Sequence, residues 1–530
     1  MRTRPYFLVQ LSLALVLSWQ TSASGQSSKP NIVFILADDL GIGDVKCFGG
    51  DRCQIDTPHF DRLAKEGVMF TDAHAVAAVC VPSRVAIMTG TYPWRLKTLE
   101  QGGPWGFLGL RFSPERFTLG KMFQASGYRT GYVGKWHLGT EMATTDGRTQ
   151  GLENVDYTKP LKIGPPQYGF DHSFILPGSL DMYPYVFARN NEWRGPVTKR
   201  RGWSAFNRVG PTADDFEDWK VLDTFSKEAE TFIGRNSKTE KPFFLYLALT
   251  SPHTPTSPSP RFEGKSKIGI YGDFVMETDD CVGRVLKALD KHGLVENTLV
   301  IAASDHGPAS YAGRNKKATF AQLKELEKDG HYSSGIYRGY KFSVYEGGHR
   351  VPFVARWPGV TKPGSHCNRL IGLNDMMRTF AAVAGLELES ARARDSVSIV
   401  PLLKNPAAQP VRTSMIQQST RPFIVRDGDW KLALCPGSGS HINWGNTPTA
   451  QEAWAAAVQS LGREPGLNDL MRAPFVQLFD LAADPGETKN LAASQPKRVY
   501  QMIALLRRET RDYVGTTSFL PQKPPPLPER

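Results

Sequence analysis

Four runs of apolar residues in this chain each lead into a cluster of polar residues. The runs and the polar residues that follow them are 31–37 with Asp38 and Asp39, 131–134 with Lys135 and His137, 242–249 with His253, and 299–303 with Asp305 and His306. Continuous apolar runs are typical of strands that are buried on both faces of a parallel sheet. Helical patterns at 58–66, 118–126 and 271–292 lie between the runs, which favours an α/β fold with right-handed crossovers.

The position of the polar clusters predicts one common site. In parallel sheets, ligands gather beyond the carboxyl ends of the strands, so the four clusters are expected to meet at one edge. Each cluster alone is also compatible with an ordinary polar turn, since Asp38 and Asp39 precede Gly41 and Asp305 precedes Gly307. Four independent turns would not all place their polar residues at the same end of a strand, so the joint pattern favours a site.

Carboxylates from two strand ends predict a metal. Asp38 and Asp39 are adjacent, and Asp305 follows a different strand. Carboxylate oxygens are hard donors that suit Ca²⁺ or Mg²⁺ rather than zinc. A buried cluster of carboxylates without a cation would repel itself strongly. We therefore expect one divalent cation at this edge of the sheet.

A rare string at Cys80 indicates the chemistry that lies beside this cation. Residues 80–84 read Cys-Val-Pro-Ser-Arg, and Thr89-Gly90 follows one helical turn later. The six residues other than Val81 coincide by chance about once in 10⁸ positions. Pro82 is tolerated in a first helical turn, so Cys80 is expected at a helix N-terminus that favours an anion. An unmodified Cys80 could act as a nucleophile paired with a histidine, but a thiolate does not explain a hard cation beside it.

The string resembles the active-site signature of the type I sulfatases, in the arylsulfatase A-like branch of the alkaline-phosphatase-like superfamily. In that family a maturation enzyme converts the cysteine to formylglycine, an aldehyde. The resemblance implies that the hydrated aldehyde attacks sulfur, expels sulfate in a second step and is regenerated. Further segments that resemble the family are 338–341, 346–352, 426–432, 478–481 and 484–487.

The resemblance also implies roles for particular residues. The residues implied to hold one divalent cation, usually calcium, are Asp38, Asp39, Asp305, His306 and the modified Cys80. Those implied to bind or neutralise the sulfate are Arg84, Lys135, Lys341 and Ser179, of which Ser179 contacts the sulfate or the formylglycine. His253 is implied to bind substrate and protonate the departing alcohol, and His137 to assist release of the enzyme-bound sulfate. His306 stands where many relatives carry asparagine, which leaves the choice between Ca²⁺ and Mg²⁺ open.

These features predict a fold and a domain order. We expect a large, mixed but mostly parallel sheet sandwiched by helices over residues 29–410, and a smaller α+β domain with an antiparallel sheet over 411–515. Residues 1–25 have the pattern of a signal peptide, because Arg2 and Arg4 precede an apolar run that is short for a membrane span; an uncleaved anchor is the alternative. Residues 516–530 form a proline-rich tail. The mature protein is expected to be exported, periplasmic or secreted, with no transmembrane segment.

Charge and composition narrow the partners. The formal net charge of +12 favours anionic partners, and the absence of a recognisable nucleic-acid motif favours sulfated material over nucleic acid. The six cysteines are too scattered for a disulfide framework.

Residues 141–166 and 189–208 look like insertions. The second mixes cations with Trp193, Trp203 and Phe206, and is either a subsite for sulfated sugar or a solvated basic loop.

The sequence therefore predicts a hydrolase of sulfate monoesters, acting on sulfated carbohydrate of the glycosaminoglycan or algal type or on aryl sulfates. The first alternative is a phosphate or phosphonate ester hydrolase of the same superfamily. The second is a non-catalytic protein that binds sulfated glycans and keeps Cys80 unconverted. A binding protein would need no acid–base pair, so the presence of His137 and His253 argues against the second alternative.

Overall fold

The structure is a computed structural model that describes residues 29–96, 105–202, 207–313, 322–420, 422–440, 448–466 and 468–510. The expected signal peptide and proline-rich tail lie outside these ranges. None of the helices within them combines the length and the hydropathy that crossing a bilayer requires.

The described part of the chain contains eighteen strands and twelve helices. The strands are β1 Asn31–Asp38, β2 Val68–Phe70, β3 Ala73–His74, β4 Arg129–Lys135, β5 His172–Leu176, β6 Ala188–Arg189, β7 Glu192–Trp193, β8 Lys199–Arg201, β9 Gly210–Thr212, β10 Phe243–Pro252, β11 Thr298–Ser304, β12 Phe353–Arg356, β13 Ser365–Cys367, β14 Ile371–Gly372, β15 Ser414–Gln418, β16 Phe423–Asp427, β17 Trp430–Ala433 and β18 Gln477–Asp480. The helices are α1 Lys46–Gly49, α2 Pro58–Glu66, α3 Cys80–Thr89, α4 Leu119–Ala125, α5 Val221–Asn236, α6 Ile270–Lys291, α7 Gln322–Glu325, α8 Glu346–His349, α9 Met376–Val383, α10 Val400–Lys404, α11 Ala450–Leu461 and α12 Pro496–Thr510.

The central sheet has ten strands in the order β13-β2-β12-β11-β1-β10-β4-β5-β6-β7. The five strands from β11 to β5 run parallel to their neighbours, and antiparallel pairs occur toward both edges. Every residue of β1, β10 and β11 is buried, as continuous apolar runs require. The predicted mixed, mostly parallel sheet is confirmed. The four apolar runs are β1, β4, β10 and β11, which lie next to one another, so their carboxyl ends share one edge.

The predicted helices are present at the predicted places. The pattern at 58–66 is α2, with Pro58 in its first turn; the pattern at 118–126 is α4, and that at 271–292 is α6. Thr118 starts α4 because its side chain accepts a hydrogen bond from the Lys121 amide, which satisfies one of the free N–H groups of the first turn.

A second, four-stranded sheet follows near the carboxyl end of the chain. It is antiparallel, in the order β15-β16-β17-β18. Its apolar face is covered by α12, whose Val499, Met502 and Ile503 share a core with Val425 and Leu432 of the sheet. The predicted small α+β unit is therefore present, and the boundary at residue 410 remains a prediction.

Buried ion pairs join this second sheet to α8 and to β3. The Glu346 carboxylate at the start of α8 accepts hydrogen bonds from Lys431 Nζ (3.0 Å) and pairs with His74 Nε2 (2.8 Å). Lys431 Nζ also lies 2.8 Å from Glu487 Oε1. Burial alone would raise the pKa of Glu346, but Lys431, His74 and two arginines hold it well below its usual value. Burial raises the pKa of Glu487 to about 7, against the effect of Lys431. Lys431 is thus a cation that both buried carboxylates share.

We expect Lys431→Met to destabilise the fold strongly. The substitution keeps the volume of the side chain and leaves two buried carboxylates without their shared cation, a loss that costs about 3–5 kcal/mol in comparable buried pairs. The measurement is the midpoint of urea unfolding. Arg463→Met, which removes the exposed pair with Asp469, is the control and should barely move the midpoint. Equal shifts for the two variants would contradict the account of the Lys431 pairs.

Candidate active site

The polar residues that follow the four strands converge at one edge of the sheet. Asp38 and Lys135 end β1 and β4, while His253 and Asp305 directly follow β10 and β11. The Asp305 amide donates to the carbonyl oxygen of Ala37 (3.1 Å), and the Asp39 amide donates to Asp305 Oδ1 (3.2 Å). The backbone of the β1–β11 pair thus sets the spacing of the carboxylates.

The Cys80 string has a structural explanation residue by residue. Cys80 is the first residue of α3. One turn later, Ser83 Oγ donates to the Asp305 carbonyl oxygen (2.6 Å), and Arg84 Nε donates to Asp305 Oδ2 (3.0 Å). Gly90 ends the helix at a φ of +64°, where an added Cβ would lie 2.6 Å from the Ala393 Cβ. The string therefore fixes the start of α3 against the end of β11.

Three carboxylates face three cations. Lys135 Nζ lies 2.6 Å from Asp38 Oδ2, and Lys341 Nζ lies 2.8 Å and 2.9 Å from the two oxygens of Asp39. Arg84 completes the set through Asp305 and lies 3.4 Å from Asp38 Oδ1. All six side chains are buried. Their charges cancel, which is the condition for burying so many ionised groups together.

The adjacent carboxylates have different pKa values. Burial would raise the pKa of Asp38, but Lys135, His253 and Arg84 hold it well below the usual value. Burial raises the pKa of Asp39 to about 7, against the effect of Lys341, and the neighbouring Asp38 and Asp305 add to the rise. Additional positive charge at this point would keep Asp39 ionised.

Cys80 lies beside His306 but is not activated as a thiolate. Its Sγ atom is 3.2 Å from His306 Nε2. Burial raises the pKa of the Cys80 thiol, and the nearby Lys135 and Lys341 do not offset this. The unmodified residue therefore stays a neutral thiol at neutral pH, which disfavours the alternative of a cysteine nucleophile.

The residues around Asp39 fit a divalent cation. His306 Nδ1 contacts the Gly307 carbonyl oxygen (2.9 Å), so the proton is assigned to Nδ1 and the lone pair of Nε2 faces Asp39 Oδ1 at 3.2 Å. Burial lowers the pKa of His306 to about 4, so its Nε2 lone pair faces the ionised form of Asp39 as one acceptor against another, an arrangement that a cation between them would stabilise. Asp38 Oδ1 is also buried without a hydrogen-bond partner in the described part of the chain. Ligand atoms of Asp38, Cys80, Asp305 and His306 all lie within 4.8 Å of one another.

Two histidines border the same space, and Ser179 follows β5, the strand beside β4 in the sheet. His253 Nδ1 contacts the Thr254 carbonyl oxygen (2.6 Å), and Nε2 is 3.7 Å from Asp39 Oδ2. His137 has a φ of +53°, an uncommon value for a non-glycine residue. His137 Nδ1 and Ser179 Oγ are buried and have no hydrogen-bond partner among the described residues. Burial lowers the pKa of both histidines, that of His253 to about 3, so both imidazoles are neutral before an anion binds.

Most arginines of the basic insertion at 189–208 are paired with carboxylates, and the choice between a sugar subsite and a solvated basic loop remains a prediction. Four of its five arginines are paired with carboxylates from elsewhere: Arg189 with Glu228, Arg200 with Glu153, Arg201 with Asp218, and Arg208 with Asp181. Trp193 packs against Tyr157 with a ring-centroid distance of 5.3 Å. Trp203 and Phe206 lie outside the described residues. The paired arginines are therefore not available as free anion-binding groups.

Sequence reasoning gave Asp181 no role and included Arg208 only as one cation of the 189–208 insertion. Asp181 Oδ1 lies 3.9 Å from His253 Nδ1, and Arg208 Nη1 binds Asp181 Oδ2 at 2.7 Å. Asp181 stands two residues after Ser179, and this closeness to a predicted site residue was the feature of the sequence that could have indicated its position. The pairing of Arg208 with Asp181 could not be predicted from neighbouring residues, because the two lie 27 residues apart along the chain.

Together, the sheet topology and the charged groups at its carboxyl edge define an ester hydrolase with the alkaline-phosphatase-like fold. Residues 30–386 match the model of the Sulfatase family. The chain belongs to the sulfatase family, and it is a sulfuric ester hydrolase. The family implies a divalent metal and a formylglycine derived from Cys80.

Known relatives span nearly the whole chain. N-acetylgalactosamine-6-O-sulfatase of Bacteroides thetaiotaomicron is 34% identical over 522 residues, covering 91% of this chain and 94% of that protein. Human arylsulfatase A is 31% identical, covering 90% of this chain and 86% of that protein. A solved sulfatase structure described with glycosaminoglycan metabolism by B. thetaiotaomicron superposes with a TM-score of 0.76 at 30% identity, covering 92% of this chain and all of that one. The family disfavours both the phosphatase and the non-catalytic alternatives.

Proposed function

We propose that this enzyme removes sulfate from carbohydrates, with the 6-sulfate of an N-acetylhexosamine as the first candidate substrate. The observation that carries the proposal is the convergence of three carboxylates, three cations and two histidines on Cys80, in a chain that aligns with 94% of an N-acetylgalactosamine-6-O-sulfatase. We further propose that an N-terminal signal directs export and that a maturation enzyme modifies Cys80.

In this proposal the metal is held by Asp38, Asp39, Asp305 and His306, with residue 80 in reach. Formylglycine would supply the oxygen nucleophile at position 80, and the cation would supply Lewis-acid stabilisation of negative charge. Three carboxylates favour Ca²⁺, which prefers oxygen ligands in flexible geometry. The imidazole of His306 is a less usual calcium ligand, so Mg²⁺ is the second candidate.

Arg84, Lys135 and Lys341 are proposed to neutralise the sulfate group. All three are buried and positively charged, and each contacts a carboxylate at the site. In a buried, fixed arrangement such cations stabilise charge that develops on the sulfuryl oxygens without having to reorganise. Ser179 is proposed to add a hydrogen bond through its unpartnered hydroxyl.

The two histidines are proposed to move protons. His253 protonates the departing alcohol oxygen, and His137 acts in the release of sulfate from residue 80. Burial keeps both neutral in the free enzyme, and the negative charge of a bound sulfate ester raises their pKa toward the working range. Proton transfer of this kind contributes about 10²–10⁴-fold in rate.

The substrate class is tested by measuring sulfate release from a panel. We expect higher kcat/KM for N-acetylgalactosamine 6-sulfate than for the 4-sulfate, because the two place the leaving oxygen differently against His253. 4-Nitrophenyl sulfate tests the chemistry without a sugar, and 4-nitrophenyl phosphate tests the superfamily alternative. Turnover of the aryl sulfate with no turnover of any sulfated sugar would refute the carbohydrate proposal and leave the sulfatase assignment intact.

A further inference from the structure

Three buried oxygen atoms, two of them on residues 179–181 and one on the Asn207 side chain that is bonded to Leu180, have no hydrogen-bond partner in the described part of the chain. They belong to Ser179 Oγ, Asp181 Oδ1 and Asn207 Oδ1. Their residues are 0%, 5% and 1% exposed, respectively. Leaving one buried polar atom unsatisfied costs about 1–3 kcal/mol, so three such atoms together indicate a surface that is completed by a ligand.

Two of the three side chains, those of Asp181 and Asn207, are held by hydrogen bonds of their other polar atoms. Arg208 Nη1 donates to Asp181 Oδ2 (2.7 Å) and to the Asp181 carbonyl oxygen (3.1 Å). Asn207 Nδ2 donates to the Leu180 carbonyl oxygen (2.9 Å), which directs its Oδ1 away from that bond. Asp181 and Asn207 are thus fixed with one acceptor oxygen each left over.

His253 does not satisfy the free oxygen of Asp181. The distance from Asp181 Oδ1 to His253 Nδ1 is 3.9 Å, which is beyond hydrogen-bond range. The same nitrogen already contacts the Thr254 carbonyl oxygen at 2.6 Å. Asp181 therefore lies beside the proposed acid without being bonded to it.

The chemistry of the free atoms identifies what they bind. An ionised carboxylate accepts hydrogen bonds and donates none. A sulfate ester also offers acceptors alone, so it cannot satisfy Asp181, and two anions would repel each other. A hydroxyl group of a sugar is a donor, and it lies close to the ester oxygen on the same ring. Aryl sulfates such as 4-nitrophenyl sulfate carry no such hydroxyl.

We propose that Asp181, held by Arg208, is a specificity-determining residue that accepts a hydrogen bond from a sugar hydroxyl near the sulfated position. Asn207 supports the same contact with its amide oxygen. This inference rests on the proposed function, because it requires a hydroxylated substrate. It assigns the selection of sugar over aryl sulfate to the Asp181–Arg208 pair and not to free cations of the 189–208 insertion.

The test compares specificity ratios. For Asp181→Leu, we expect the ratio of kcat/KM on the sugar sulfate to kcat/KM on 4-nitrophenyl sulfate to fall on the order of 10³-fold, since a site built to bond a hydroxyl discriminates strongly on that bond. Asp218→Leu removes the carboxylate of the neighbouring Arg201–Asp218 pair and is the matched control, with a ratio close to the parental one. An unchanged ratio, whether activity on both substrates falls equally or on neither, would overturn the proposal.

A second arm does not depend on the folding of Asp181→Leu, because its main comparison uses the parental enzyme. The parental enzyme is assayed with monodeoxy versions of the sugar sulfate, each lacking one ring hydroxyl. With the parental enzyme, one deoxy compound should have a much lower kcat/KM than the intact sugar sulfate. With Asp181→Asn, which keeps the side-chain shape, the difference in kcat/KM between that deoxy compound and the intact sugar sulfate should be smaller. Uniform activity across the deoxy series would refute the role of Asp181, whereas inactivity on the intact sugar sulfate would refute the proposed function instead.

Discussion

The Cys80→Ala variant is expected to lose aryl sulfate turnover by at least ~10⁴-fold, since removal of a catalytic nucleophile has effects of this size in other hydrolases. Alanine cannot be converted to an aldehyde and offers no oxygen nucleophile. The carboxylates, lysines and histidines around it stay in place, because the Cys80 side chain makes one contact of note, with His306.

The loss should be specific to position 80. Cys281→Ala changes another buried cysteine, on α6, and should retain most of the activity. Circular dichroism and the thermal midpoint of Cys80→Ala should match those of the parent, which separates loss of chemistry from loss of fold. Parental turnover by Cys80→Ala would contradict the role given to this residue.

Removing the divalent cation is expected to lower kcat by roughly 10³-fold, since Lewis-acid stabilisation of transition-state charge is worth several kcal/mol. Three buried carboxylates lie together at the site, and one of them, Asp39, has its pKa raised to about 7 by burial. Dialysis against a chelator should therefore destabilise the protein as well as inactivate it.

The experiment adds Ca²⁺ or Mg²⁺ back to the dialysed enzyme and follows activity and the thermal midpoint together. A cation that binds only the folded state and is present at a concentration of 100 times its Kd should stabilise the folded protein by about 2.7 kcal/mol. Asp38→Asn, which removes one charge from the cluster, should weaken the cation's effect on the midpoint. Full activity and an unchanged midpoint after chelation would contradict a metal site at these residues.

The sequence was sufficient to predict the strands that carry the site. The runs at 31–37, 242–249 and 299–303 are the central strands of the sheet because a strand buried on both faces must be apolar throughout. The position of Cys80 at a helix start was also predictable, from Pro82 in the first turn. These are local features, in which the residues that determine the structure are neighbours in the chain.

Long-range pairing was not predictable in the same way. The ion pairs of the arginines in 189–208 could not be predicted from the sequence, because carboxylate partners such as Glu153 and Glu228 lie far away along the chain. Lys431 and Glu346 are 85 residues apart, and nothing near either residue marks their pairing. The open oxygen of Asp181 is visible only once the neighbours of each buried atom are known.

The central claim is that position 80 carries an aldehyde made from cysteine. The most direct measurement is the mass of the proteolytic peptide that contains residue 80, from enzyme produced in its own host. The account predicts a peptide lighter than the encoded one by the difference between cysteine and formylglycine, and reactive toward an aldehyde-specific hydrazide. A peptide with the encoded mass and a free thiol at residue 80, from fully active enzyme, would contradict it.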